Sequence, residues 1–251
     1  MTATARIDCP LRALPLFLPH SEEELALVQA LKRRETTLDA GETLIHEGQA
    51  ETRLFTLLEG WAYRFKTLSD GRRQILNFLL AGDFIGVQQK MSDAAAHGVV
   101  TLTSARLCVF DRDALWQLHT GQPSMGFNIT WLTAHEESLV DDNLLSLGRR
   151  SAEERVATAL ILLYKRAAAL RGKGEPEGAG SAQGVAFPPT QQHLADALGL
   201  SLAHTNKTLR KLERRGLFRI GDGRLQLLDP RALERLADLY GDGKPPARPL
   251  I

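Results

Sequence analysis

The side chains best equipped for chemistry in this 251-residue chain stand at helical spacing in "SLAHTNKTLRKLERR", residues 201–215. Winding the stretch at 100° per residue puts Leu202, Thr205, Thr208, Leu209 and Leu212 on one side. Ala203, Lys207, Arg210 and Lys211 fall on the other, with His204 and Asn206 at the flanks. An outer face of that kind suits a duplex groove. Lys207 can donate to guanine O6 and N7, Asn206 can pair with adenine N6 and N7, and His204 can donate to a base acceptor or a phosphate. Arg210, Lys211, Arg214 and Arg215 lie farther from the helix start that points at base edges. They fit phosphate contacts, as does Ser201 at the start itself.

Such a helix needs a scaffold. A helix-turn-helix requires a small residue where its helices cross, a glycine at the turn and apolar residues on the inner sides. Ala195, Gly199, Leu194, Leu198 and Leu200 meet those needs. Thr190, after Pro188 and Pro189, and Ser201 stand where N-caps belong. Beyond them "LFRIGDGRLQLL" reads as two short strands joined by Gly-Asp-Gly, a wing beside the second helix. A solvated basic helix alone would show the same outer face, but turn glycine, small crossing residue, two caps and a hairpin coincide here.

Charge is divided along the chain: 13 basic and 19 acidic residues up to Leu147, 18 and 11 beyond it. A basic second half fits a polyanion-binding module joined to something else. In the first half, a polar helix is expected over 21–34. Short apolar runs over 42–110, broken at Gly48, Gly60, Asp70-Gly71 and Gly82-Asp83, predict an antiparallel barrel or sandwich, with Asp70-Gly71 the best hairpin turn. One long helix is expected over 111–147. The next, "SAEERVATALILLYKRAAAL", opens with a capping-box pair, Ser151 and Glu154, and ends before the flexible loop "RGKGEPEGAGSAQG". The expected fold is α+β, with an N-terminal jelly-roll-like β-roll over 1–110, a linking helix over 111–147 and a winged helix-turn-helix over 148–251.

Enzyme chemistry lacks its parts: there is no glycine-rich phosphate loop, nucleophile elbow or HExxH. Two distant cysteines, Cys9 and Cys108, make neither a disulfide framework nor a metal site, and no cofactor is expected. No run of eighteen apolar residues and no leader pattern is present, so a cytoplasmic protein without membrane contact is expected.

The order of parts resembles the Crp/Fnr transcription regulators, through "AGETLIHEG", "LFTLLEGWAYRFKTLSDGRRQILNFLLAGDFIG", "SAEERVA" and "QQHLADALGLSLAHTNKTLRKLERRGL". The resemblance implies a homodimer joined through the long helices, with contacts expected at Phe127, Trp131, Leu132 and Leu139. It also implies double-stranded DNA and RNA polymerase as partners. Departures qualify it. Cyclic-AMP-binding members carry a glutamate after the "GDFIG"-type turn and an arginine-serine pair further on, where this chain has Val87, His97 and Gly98. The usual cyclic AMP contacts are therefore missing. Cys9 and Cys108 resemble remnants of the iron–sulfur branch, two thiols where four are needed, and stand as redox candidates. FixK-like members, which lack an obvious cofactor, match best in character. In the reading helix Ala203 and Lys207 replace the family's glutamate and arginine, so base preference should differ. The rival reading is a regulatory subunit whose roll binds another small molecule or haem and controls a partner protein.

Overall fold

At Lys32 the chain passes from helix to strand without a loop. The computed structural model describes residues 9–50, 52–88, 94–171, 184–239 and 247–251. Helix α1 (Glu22–Leu31) is started by a reciprocal cap: the Ser21 hydroxyl accepts from the Glu24 amide, and the Glu24 carboxylate accepts from the Ser21 amide. The helix expected to reach residue 34 stops at Leu31 because β1 (Lys32–Leu38) pairs antiparallel with the strand ending at Phe110. Its Thr36 and Thr37 suit a pleated surface.

Seven more strands complete the roll: β2 (Thr43–Ile45), β3 (Leu54–Glu59), β4 (Ala62–Thr67), β5 (Arg73–Leu79), β6 (Phe84–Ile85), β7 (Gly98–Thr101) and β8 (Ala105–Phe110). They form two four-stranded sheets, ordered β1-β8-β3-β6 and β2-β7-β4-β5, with antiparallel neighbours throughout. Leu57, Val99 and Leu107 are completely buried between them. Asp70-Gly71 makes the expected hairpin turn between β4 and β5, with Gly71 at φ 85°.

The single helix expected over 111–147 is two, α2 (Ala114–Gly121) and α3 (Pro123–Arg149). Pro123 is the cause: it forces Gln122 to extended geometry (φ −145°, ψ 111°) and then serves as a first helical residue that needs no N–H partner. Helix α4 (Ala152–Ala169) begins at the Ser151–Glu154 capping box. In the glycine-rich loop that follows, residues 172–183 lie outside the described residues. Strand β9 (Val185–Ala186), helices α5 (Gln191–Leu198) and α6 (Leu202–Arg214), strands β10 (Phe218–Gly221) and β11 (Arg224–Leu227) and helix α7 (Pro230–Ala237) form the winged head, with a small sheet ordered β10-β11-β9.

Roll and head share one core. Trp61, Tyr63, Ile75 and Phe78 from β4, β5 and their approach pack with Leu160 of α4 and with Leu194, Leu212 and Phe218 of the head. Polar contacts seal the same junction: the Arg73 guanidinium donates to Asp196 on α5, and the Gln74 amide donates to Ala197 O at 3.0 Å. A second tie runs the other way. Segment 247–251 lies against the roll, with Arg248 N donating to Leu16 O (2.8 Å) and Leu18 N to Arg248 O (2.9 Å). Its Leu250 and Ile251 are buried beside Val28, Leu54 and Leu58.

Candidate nucleic-acid interface

Helices α5 and α6 are each capped at the start by a hydroxyl. Thr190 caps α5 by accepting from His193 N (3.2 Å), and Ser201 caps α6 by accepting from His204 N (3.2 Å). Between them Gly199 closes α5 in the left-handed conformation, φ 62°. A side chain there would be strained, and its Cβ would lie 2.9 Å from Leu147 Cδ2. Leu194, Ala195 and Leu198 are buried at the crossing, and Leu200 is half-buried against the same core. On α6, Thr205, Thr208, Leu209 and Leu212 are buried as the helical period required. Leu202 is not: 42% exposed, it precedes the point where α6 meets the core.

Ala203, His204, Lys207, Arg210 and Arg214 stand on the outer face, all exposed. Two expected phosphate contacts are already engaged. The Glu153 carboxylate at the start of α4 accepts from Lys211 Nζ through Oε1 and from Arg215 Nη1 at 3.0 Å through Oε2. Asn206 differs again. Its Oδ1 is buried and has no hydrogen-bond partner among the described residues, so bidentate pairing with adenine requires its side chain to rotate outward. Sequence reasoning missed Glu153, which sat unremarked in "SAEERVA", and Arg219, exposed on β10 of the wing. The wing turn is Asp222-Gly223, both at positive φ (50° and 68°), as a two-residue hairpin loop demands.

The positions that replace the cyclic AMP contacts in the roll are buried or half-buried. His97 is buried, and burial together with the nearby Arg64 and Lys66 charges lowers its pKa to about 4, so the ring is neutral at pH 7. A Cβ on Gly98 would lie 2.5 Å from the Phe65 ring, which fills the space beside it. Val87 is half-buried beside the roll's outer core. Arg64, almost fully buried, is paired with Glu136 of α3 at 3.1 Å. Burial pushes the Glu136 carboxyl up, against the Arg64 charge.

Cys9 and Cys108, 99 positions apart, line one small space with Lys32, His20 and Ile251. Cys108 is buried, and burial raises its thiol pKa against the opposing Lys32 charge. A cubane needs four thiolates and the chain has two cysteines, so these residues do not fit an iron–sulfur centre. Among the described residues no group of three or more His, Cys, Asp or Glu is placed to hold a metal ion, and no helix is long and apolar enough to cross a membrane.

Of the four residues expected at a dimer contact, only Phe127 faces outward, 68% exposed. Leu132 is buried in the protomer's own core, Leu139 lines a cavity beside α4, and Trp131 is half-buried against the His135 ring. The helical period gave the apolar positions but not which of them the roll and α4 already cover.

Comparison with known proteins follows this architecture. Residues 35–121 match the cyclic nucleotide-binding domain and residues 154–236 the Crp-like helix-turn-helix domain. The nitrogen fixation regulation protein FixK of Bradyrhizobium diazoefficiens is 34% identical over 233 residues, covering 92% of each chain. The transcriptional activator protein FnrL of Cereibacter sphaeroides is 29% identical over 240 residues, 95% of this chain and 94% of that one. The structure of FixK2 from Bradyrhizobium japonicum superposes with a TM-score of 0.69 at 25% identity, covering 84% of this chain and 98% of the other.

Proposed function

The chain belongs to the Crp/Fnr family of transcription regulators, and on that premise we propose that it binds a two-fold symmetric DNA site as a cytoplasmic homodimer, one α6 entering each of two successive major grooves. The observation that carries this reading is the outer face of α6, where exposed His204, Lys207 and Arg210 follow a capped, solvent-facing helix start. Lys207 and His204 read base edges, joined by Asn206 once its amide turns outward. Ser201, Arg210 and Arg214 hold phosphates, and Lys211 and Arg215 do so when they leave Glu153. FnrL, a relative, is named as a transcriptional activator, and we infer that the bound dimer of this chain acts on RNA polymerase.

The dimer seam runs along α3. Phe127, Ala134, Asp141 and Gly148 recur every seven residues, with Thr130, Glu137 and Leu144 three positions after the first three, and all seven are exposed. That is the spacing of a two-stranded coiled coil, poor in apolar residues at its middle. The roll, whose cyclic AMP contacts are replaced, sets the position of the head through the shared core and the Arg73–Asp196 pair.

Selection of bound DNA from a random pool, with protein free of nucleotide and metal and under reducing and oxidising conditions, tests the reading. A two-fold symmetric site enriched from reduced protein is the expected result. Enrichment only after oxidation would make Cys9 or Cys108 the switch, and no enrichment in either state would refute ligand-independent DNA recognition. On the selected site, Lys207→Ala should relax preference at one base position, whereas an equal loss on all sequences would make Lys207 a phosphate contact.

A further inference from the structure

Where the roll, α3 and α4 meet there is a cavity of about 360 Å³, inside the usual range of about 300–1,000 Å³ for small-molecule sites. Leu16, Leu80, Leu139 and Leu162 line it, together with the Trp131 ring, which stacks on His135 at 5.1 Å and 20°.

Arg166 of α4 and Arg248 also reach its wall. Both spend their charge on the same buried carboxylate: Arg166 Nη2 donates to Asp83 Oδ2 at 2.6 Å and Arg248 Nη2 to Asp83 Oδ1 at 2.7 Å. Two guanidiniums against one carboxylate leave an excess positive charge beside apolar walls. The neighbouring charges do not correct it, since Glu136 is paired with Arg64 (3.1 Å) and Lys165 with Glu234 (2.8 Å). Burial and the two arginines lower the pKa of His135, so that ring adds no charge at pH 7. Arg248 Nε is buried without a hydrogen-bond partner among the described residues. An unmet buried donor of this kind is costly, and an anion satisfies it.

We propose that this cavity is a binding site for a small aromatic carboxylate, its ring against Trp131 and the leucines and its carboxylate on Arg248 and Arg166. The site lies outside the roll's interior. Its walls come from the roll, α3, α4 and segment 247–251, so one ligand touches both the sensor and the helix that carries the head.

Occupancy is measured without DNA, so the outcome stands whether or not the DNA reading does. The full chain is titrated with the fluorescent anion 8-anilinonaphthalene-1-sulfonate, which is then displaced with 2-naphthoate or with 2-naphthalenemethanol, its uncharged counterpart. Saturable 1:1 binding is expected, with naphthoate effective at a concentration at least about tenfold lower than the alcohol, the lower end for a charge-assisted hydrogen bond. Ala169→Trp, which fills the cavity from α4 and leaves both arginines in place, should weaken probe and naphthoate binding at least about tenfold, the scale of losing a well-filled site. Should that variant not fold, Ala81→Leu fills the cavity from the roll side and decides the matter. Equal potency of acid and alcohol, absence of saturable binding, or undiminished binding in the folded filled variant each overturns the proposal.

Discussion

Arg73 on strand β5 and Asp196 on helix α5 meet across the junction of roll and head: Nε and Nη2 of the arginine both donate to Asp196 Oδ2, at 3.0 and 2.7 Å. The same guanidinium donates to Tyr63 Oη at 2.6 Å and lies over the Tyr63 ring. With side chains 27% and 14% exposed, the pair is partly desolvated, so its members depend on each other more than a surface pair does. Asp196→Ala should cost about 1–3 kcal/mol in urea unfolding, because it leaves a half-buried guanidinium without its carboxylate. Arg73→Ala and the double variant complete the cycle. A coupling near 1 kcal/mol is expected, and strictly additive losses would show that the pair does not join the two parts.

The sequence carried the reading head almost whole, because its caps, turn glycine and inner stripe are local signals within 28 residues, from Thr190 to Leu217. It carried the roll as a succession of strands. What it did not carry depends on pairing at a distance. Lys32 continues as strand because a partner 78 positions away, Phe110, lies opposite it. Leu132 and Leu139 have the same helical phase as a dimer stripe until the roll and α4 cover them. The engagement of Lys211 and Arg215 has the same origin, since Glu153 lies 58 and 62 positions away and α6 shows no sign of it. The cavity where the roll, α3 and α4 meet likewise left no trace in the sequence, its walls coming from five separate segments.

Glu153 holds Lys211 and Arg215, the two cations proposed above as further phosphate contacts. Glu153→Gln removes the negative charge, keeps the shape and releases Lys211 and Arg215. Binding to the selected site should then tighten several-fold at low salt, and the salt dependence should steepen by about one to two units of slope, near 0.9 per added phosphate contact. Stability should change by less than about 1 kcal/mol, as the pairs are half-exposed. An unchanged slope would mean that both cations already leave Glu153 when DNA binds.

Segment 247–251 is held by its own buried side chains. Leu250 is 3% exposed, its carbonyl accepts from His20 Nε2 at 2.8 Å, and Thr56 Oγ1 donates to Ile251 O. Leu250→Ala should cost about 2–5 kcal/mol, the range for emptying a well-packed leucine site. Limited proteolysis should also remove residues 247–251 at lower protease concentration than in the unaltered protein. A loss below about 0.5 kcal/mol, the level of an ordinary surface substitution, would show that the segment is not seated.

Four histidines give the molecule an acid sensitivity whose sign is fixed by their surroundings. Burial is the leading cause in each, lowering the pKa of His20, His97, His135 and His193, with that of His97 brought down to about 4. A lowered histidine is neutral in the folded chain while its unfolded counterpart, near 6.5, is already taking up protons. Stability is therefore fully present above about pH 6.5 and falls as the pH drops toward 4, where the folded ring finally accepts its proton. His97 alone accounts for up to about 3 kcal/mol of that fall, at 1.36 kcal/mol per pH unit. Below about pH 4 Asp83 adds to the loss, since burial raises its pKa but the Arg166 and Arg248 charges outweigh it and hold the carboxyl below its usual range. Urea midpoints taken from pH 7.5 to 4.5 should decline throughout the lower part of that interval. His97→Gln should flatten the slope, because glutamine does not titrate. A midpoint that stays level from pH 6.5 to 4.5 in the unaltered protein would show that these rings are protonated alike in the folded and unfolded chain, and that His97 is open to water.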